Sequence, residues 1–220
     1  MDYKRVLLFA GHYGSGKTNI AVNVAQHLQK KRGNVTIADL DIVNPYFRTI
    51  DSRRELEAAG IRVISSEYAG TNLDAPALPP EMYAITDDRS MTAIMDIGGD
   101  DRGALALGRY APAIREENDY EMLLVINSYR PLTRDVPSTL EVIREIEVAG
   151  GIPFTAIVNN SNLGEETDIE TVLASLSYAD EIARATGLPI KMTTVREELY
   201  GALKDSIPNL FPLTLQYKIK

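Results

Sequence analysis

Short, continuously apolar runs alternate with amphipathic stretches along most of this chain. The runs cover residues 6–10, 35–38, 61–64, 92–97, 122–126, 154–158 and 188–192. Because they are apolar throughout and not at every second position, they read as parallel strands covered by helices on both faces. Between the first two, residues 17–32 place Ile20, Ala21, Val24, Ala25 and Leu28 on one helical stripe, with Asn19, Asn23, Gln26 and Lys30 opposite. Residues 167–186 carry a second stripe, Ile169, Val172, Leu173, Leu176, Ala179 and Ala183. Thr167 with Glu170, and Ser52 with Glu55, have the spacing of a capping box. Gly33, Gly60, Gly150 and Gly187 each close a helical pattern ahead of an apolar run, where a left-handed C-cap belongs.

Repetition of strand and helix predicts an α/β fold, a single doubly wound, mostly parallel sheet with helices on both faces. No internal repeat or linker interrupts it, so residues 1–220 read as one domain. The least regular stretch, residues 65–90 with Pro76, Pro79 and Pro80, reads as an insertion or lid holding at most one short helix.

Charge and composition exclude several partners. With 23 Lys and Arg against 31 Asp and Glu, the net charge is −8. That balance disfavours phosphate-backbone binding, and no nucleic acid partner is expected. The absence of cysteine excludes disulfides, thiolate metal centres and a cysteine nucleophile. No apolar run reaches the ~18 residues that span a bilayer. Residues 210–220, interrupted by Pro212, do not read as an amphipathic membrane helix. A cytoplasmic protein without a membrane partner is expected.

The strongest chemical signal is Gly11-His12-Tyr13-Gly14-Ser15-Gly16-Lys17-Thr18, which fits G-x-x-x-x-G-K-[ST] between a strand and an amphipathic helix. Glycines let the backbone curl so that successive N–H groups face phosphate oxygens. Lys17 brings a point charge to the terminal phosphates, and the Thr18 hydroxyl is a Mg²⁺ ligand. The helix opening at Lys17 aims its positive end at the anion. Asp96 ends the strand at 92–97 and is followed by Gly98-Gly99; the carboxylate can hold a Mg²⁺ shell, and the Gly99 N–H can reach a γ-phosphate. In Asp39-Leu40-Asp41 two carboxylates two residues apart point the same way. One can serve the metal or attacking water while the other anchors the loop, and residues 42–50 beyond them read as a switch. Asn159 and Asn160 fall where a strand's carboxyl end meets a ligand crevice, and an asparagine amide matches an adenine edge. The string Asn159-Asn160-Ser161-Asn162 lacks the acid of the guanine-reading N-K-x-D element, which favours ATP.

Together these segments resemble the deviant P-loop ATPases of the ParA/MinD class, within the broader group that includes signal-recognition and metallochaperone NTPases. The resemblance rests on Gly11 to Thr18, on Val35 to Asp41 and on Met95 to Gly99. Residues 125–135 look like the strand and following loop that precede a helix in MinD-like proteins. Gly187-Leu188-Pro189-Ile190 with Thr193-Thr194-Val195 is similar to the last strand and base-proximal loop. It implies Lys17 and Asp41 as catalytic residues, Asp41 orienting the attacking water or its Mg²⁺ shell. Thr18, Asp41 and Asp96 would be the metal-side groups, Gly99 the γ-phosphate sensor, and Asn159 or Asn160 the adenine reader. A homodimer around two ATP molecules, slow hydrolysis and a state-dependent protein partner are implied as well. The class carries a second lysine just after the first loop glycine; here that position is His12, whose neutral ring supplies one hydrogen bond but no full charge. His27 reads as a residue of the polar face.

Three functions fit this reading. One is a Mg-dependent ATPase acting as a nucleotide-gated switch on a protein partner. Another is a metabolic kinase or ligase, with Glu67, Tyr68, Asp74, Tyr83, Asp87 and Asp88 lining an acceptor pocket. The last is a non-hydrolysing ATP-binding module, against which the retention of Lys17, Thr18, Asp41 and Asp96 argues.

Overall fold

Successive side chains of the central strand β1 (Val6–Ala10) enter two different cores. The computed structural model describes residues 1–40, 52–65, 79–98 and 101–215. Within them the other strands are β2 (Val35–Leu40), β3 (Arg62–Ser65), β4 (Thr92–Ile97), β5 (Tyr120–Ile126), β6 (Ala156–Asn159), β7 (Ile190–Arg196) and β8 (Leu210–Leu213). All pair in parallel, in the order β3-β2-β4-β1-β5-β6-β7-β8. The helices are α1 (Lys17–Arg32), α2 (Arg53–Ala58), α3 (Ala84–Asp87), α4 (Asp101–Leu107), α5 (Ala111–Glu117), α6 (Val136–Gly150), α7 (Ile169–Thr186) and α8 (Glu197–Leu203).

Val6, Leu8 and Ala10 pack with α4, α5, α6 and α7 on one face, while Leu7 and Phe9 meet α1 and Leu56 of α2 on the other. The strands therefore need apolar residues at every position, and the expected doubly wound sheet is observed. All five residues of the α1 stripe are fully buried.

Several local expectations change. The buried side of α7 is Val172, Ser175, Ala179 and Ile182, leaving Ile169 and Leu173 exposed. A serine at the centre of the buried stripe disguised its axis. Asp168, not Thr167, caps α7 by accepting from Thr171 N at 2.8 Å, and the Thr167 hydroxyl donates to Gly164 O instead. Ser52 precedes α2 without a side-chain cap bond, and the left-handed cap of α6 falls on Gly151, one residue beyond Gly150. An eighth strand also stands at the sheet edge; Pro212 obscured it in the sequence and is tolerated there because β8 pairs only with β7.

At the amino edge of the sheet a buried clamp closes the bottom of the molecule. Arg5 forks onto the Glu117 carboxylate through Nε and Nη2. Its remaining donors reach Ile85 O at 2.9 Å, Asp88 O at 3.3 Å and Met91 O at 3.4 Å. This bond holds the Glu117 carboxyl below its ordinary range.

The segment read as a lid is described only in part, and Glu67, Tyr68 and Asp74 lie outside the described residues. Its later portion forms a 3₁₀ turn, Pro80–Tyr83, continuing into α3. Tyr83 packs edge-on against Tyr110, and Asp87 and Asp88 lie just before β4, at its amino end. These three residues are thus placed at the edge opposite the glycine-rich loop and do not line a pocket with it, because the parallel strands carry them to the other end of the sheet.

Candidate functional site

At the carboxyl edge, β1 ends at Ala10 and the chain curls through Gly11–Thr18 into α1. Gly11, Gly14 and Gly16 have φ of 151°, 77° and 91°. Ser15 N donates to His12 O at 3.1 Å, and Lys17 Nζ folds over the loop to the same carbonyl at 3.3 Å. Ser15, Lys17 and Thr18 are buried, and the amino end of α1 presents its positive pole here. His12 is half-buried, with Nδ1 donating to Tyr13 O at 3.0 Å, so the ring is turned onto its own loop. His27 is exposed on α1, its ring edge-on to that of Phe211 with the ring centres 5.7 Å apart.

The Thr18 hydroxyl donates to Asp96 Oδ2 at 2.6 Å, joining the loop to the end of β4. Asp39 is the register partner of Asp96 on β2, so the two buried carboxylates share a face of the sheet beside Thr18. Asp39 was legible only as one of a pair; the register shows that it, too, stands next to Asp96. Hard oxygen donors of this kind suit Mg²⁺. No cluster of three or more His, Cys, Asp or Glu stands ready for a metal among the described residues. Mg²⁺ keeps several waters and binds through one or two carboxylates together with phosphate oxygens. Asp41, the switch at 42–50 and Gly99 lie outside the described residues.

Both asparagines bond within the protein, to different partners. Asn159 is fully buried; its Nδ2 donates to Ser175 Oγ at 2.9 Å and its Oδ1 accepts from Ser161 N at 3.2 Å. It is not among the residues that line the cavity against Lys17 and Thr18. Asn160 does border the cavity, but its amide grips the loop: Nδ2 donates to Ser15 O at 2.6 Å, while Oδ1 accepts from Thr194 Oγ1 at 2.5 Å. Asn162 spends its amide locally, donating to Asn160 O at 2.7 Å and accepting from Gly164 N at 3.0 Å. These bonds form a rigid polar scaffold behind the loop.

A cavity of about 370 Å³ opens against Lys17 and Thr18 and extends to Val195, Leu213 and Leu215. Its size lies in the range of small-molecule sites, ~300–1,000 Å³. Two arginines stand at its border. Arg130 Nε donates to Gly14 O at 2.9 Å, and Arg196 Nη1 donates to Glu165 O at 2.8 Å. Arg130, Leu213 and Leu215 were not singled out from sequence. A lone arginine in a loop and a short apolar run with proline carry no local signal.

No protein-family model matches this chain, and no curated protein matches it. Solved structures do. Cell division protein FtsY of Thermotoga maritima superposes with a TM-score of 0.56 at 20% identity, covering 87% of this chain and 62% of that one. Chloroplast FtsY of Physcomitrella patens gives 0.57 at 17% identity, over 90% of this chain and 60% of that one. The 54 kDa signal recognition particle protein of Aeropyrum pernix, in complex with GDP, gives 0.53 at 16%, over 87% and 41% respectively. The fold is that of the P-loop NTPases. This chain spans less than two thirds of the length of each of these neighbours. These neighbours are FtsY and signal recognition particle proteins, and their likeness to this chain does not confirm the ParA/MinD resemblance. No helix among the described residues is long and apolar enough to cross a membrane.

Proposed function

We propose that this protein binds ATP with Mg²⁺ at Gly11–Thr18, hydrolyses it slowly, and uses its nucleotide state as a switch on a protein partner in the cytoplasm. The observation that carries this reading is the 2.6 Å bond from Thr18 to a buried Asp96 at the mouth of a loop with three positive-φ glycines. Thr18 and Asp96 would hold the metal, with Asp39 beside them and Asp41 following in the chain; when bound, the ion supplies charge neutralisation to the phosphates. Lys17 would leave His12 O for the terminal phosphates, exchanging a carbonyl for a charged partner. Asp41 is assigned to orient the attacking water and Gly99 to sense the γ-phosphate, both on the resemblance alone.

ATP is preferred to GTP because the Asn159–Asn162 string offers no acid and Asn162 is occupied within its own turn. Two of the structural neighbours are described with GDP, so GTP is the competitor any test must include. The homodimer that the resemblance implies stays part of this reading, although His12 stands where the class has its second lysine and bonds within its own loop. The switch is supported by the packing of α4. Gly103 of α4 lies so near Gly98 that a Cβ there would be 2.6 Å from Gly98 Cα, so α4 packs directly on the chain leaving β4. Leu105 on α4 and Val148 on α6 are exposed and border one shallow depression, a surface a partner could read.

Calorimetry with ATP, GTP, ADP and a non-hydrolysable ATP analogue, each with Mg²⁺, tests the reading. ATP should bind more tightly than GTP, and Lys17→Ala should weaken it by roughly 100-fold, the loss of charge-assisted bonds to phosphate. Asp41→Ala should keep binding while slowing turnover by roughly 100-fold, since it removes water positioning and spares the cradle. Absence of heat with every triphosphate would end the proposal.

A further inference from the structure

Asn23 was expected on the polar face of α1, yet it is buried, and its amide is spent on the far end of the chain. Nδ2 donates to Thr214 O at 3.0 Å and Oδ1 accepts from Thr214 N at 2.9 Å, with a further bond from Nδ2 to Asn19 O at 2.8 Å. A side-chain amide that engages both backbone groups of one residue reproduces a rung of a sheet ladder. The chain leaving β8, with its last β7 partner at Leu213, is therefore continued against the helix that follows the glycine-rich loop.

Extension through Thr214 fixes what its neighbours face. Residues two apart in an extended chain share a side. Leu213 and Leu215 both border the cavity, while Thr214 between them is exposed. Leu213 is already part of the core, whereas Leu215 is only half-buried and retains apolar surface to offer. With Val195 of β7 the two leucines make an apolar side to a cavity whose other side is Lys17 and Thr18.

A purine nucleotide has the same division, an apolar ring face joined to a polyanion. We propose that residues 213 and 215 form the wall against which the purine base packs, and that Asn23 is the positioning residue that holds this wall in the site. The inference rests on the nucleotide reading above and extends it to the base.

Inorganic tripolyphosphate separates the two ideas because it has phosphates and no base. The full chain and its variants are titrated by calorimetry with Mg·ATP and with Mg·tripolyphosphate. Leu215→Ser should lose ATP affinity by roughly 10-fold, with tripolyphosphate affinity unchanged, and Leu215→Met should restore ATP binding. Asn23→Ala should reproduce the selective loss, and combining it with Leu215→Ser should add little, because both remove one wall. Equal weakening of both ligands by Leu215→Ser, or no weakening of ATP, overturns the wall while leaving the phosphate site standing. Failure of the unaltered protein to bind tripolyphosphate overturns the phosphate site and the wall with it.

Discussion

Replacing Gly16 by alanine is expected to abolish measurable triphosphate binding and to lower stability by about 2–4 kcal/mol. Gly16 caps α1 at φ 91° and ψ 18°, a left-handed conformation that L side chains adopt at a cost. Its added Cβ would stand 2.2 Å from Asn160 Nδ2. An exposed side chain would swing away, but Asn160 is buried and held at both ends, by Ser15 O at 2.6 Å and Thr194 Oγ1 at 2.5 Å. Either the Ser15 bond breaks, releasing the loop whose curl makes the phosphate cradle, or the helix start moves. Thermal unfolding and calorimetry read the two effects separately. The pair Gly16→Ala with Asn160→Ala sharpens the test: removing Asn160 should recover the steric part of the stability loss but not the conformational part. A Gly16→Ala protein with unaltered stability and binding would mean that Asn160 does not grip the loop.

How far the sequence could be read follows from which interactions are local. Runs such as 92–97, and the helix at 17–32, coincide with β4 and α1 because burial on both faces, or on one stripe, writes itself into adjacent residues. The glycine-rich loop was legible for the same reason, its chemistry being packed into eight consecutive positions, Gly11 to Thr18. Asp96 followed from its place at the end of a strand.

Long-range partners were not legible. Asn159 and Asn160 are neighbours with the same side chain, yet one bonds Ser175 on α7 and the other Ser15 in the loop. Nothing in the sequence distinguishes an amide facing a ligand from one facing a helix. Asn23 looked like a solvated polar residue because its partner, Thr214, lies 191 residues away. The edge strand holding Leu213 was concealed by Pro212, a residue excluded from central strands but acceptable at an edge. Register likewise supplied what spacing could not, by setting Asp39 opposite Asp96.

Glu117→Gln is expected to destabilise the protein by about 2–4 kcal/mol at pH 7, through loss of its buried pairing with Arg5. Side-chain exposure is 8% for Arg5 and 9% for Glu117, so solvent does little to screen the pair or to replace it. Three backbone carbonyls would still accept from Arg5, which keeps the loss below that of a fully orphaned guanidinium. The pH dependence has a definite sign. The Arg5 bond holds the folded-state pKa of Glu117 below its ordinary value of 4.5. Its stabilisation is therefore complete above that value and is lost as pH falls through the depressed one. Urea unfolding of the native protein and of Glu117→Gln should show a wide gap at pH 7 that narrows only below pH 4.5. A gap of constant width through that acid range would assign the loss to packing of the Glu117 stem instead of to the ion pair. Because Arg5 also ties Ile85, Asp88 and Met91 to the base of the sheet, the variant should loosen α3 before it disturbs the glycine-rich loop at the opposite edge. Hydrogen exchange should accordingly rise first around residues 84–91, with triphosphate affinity preserved.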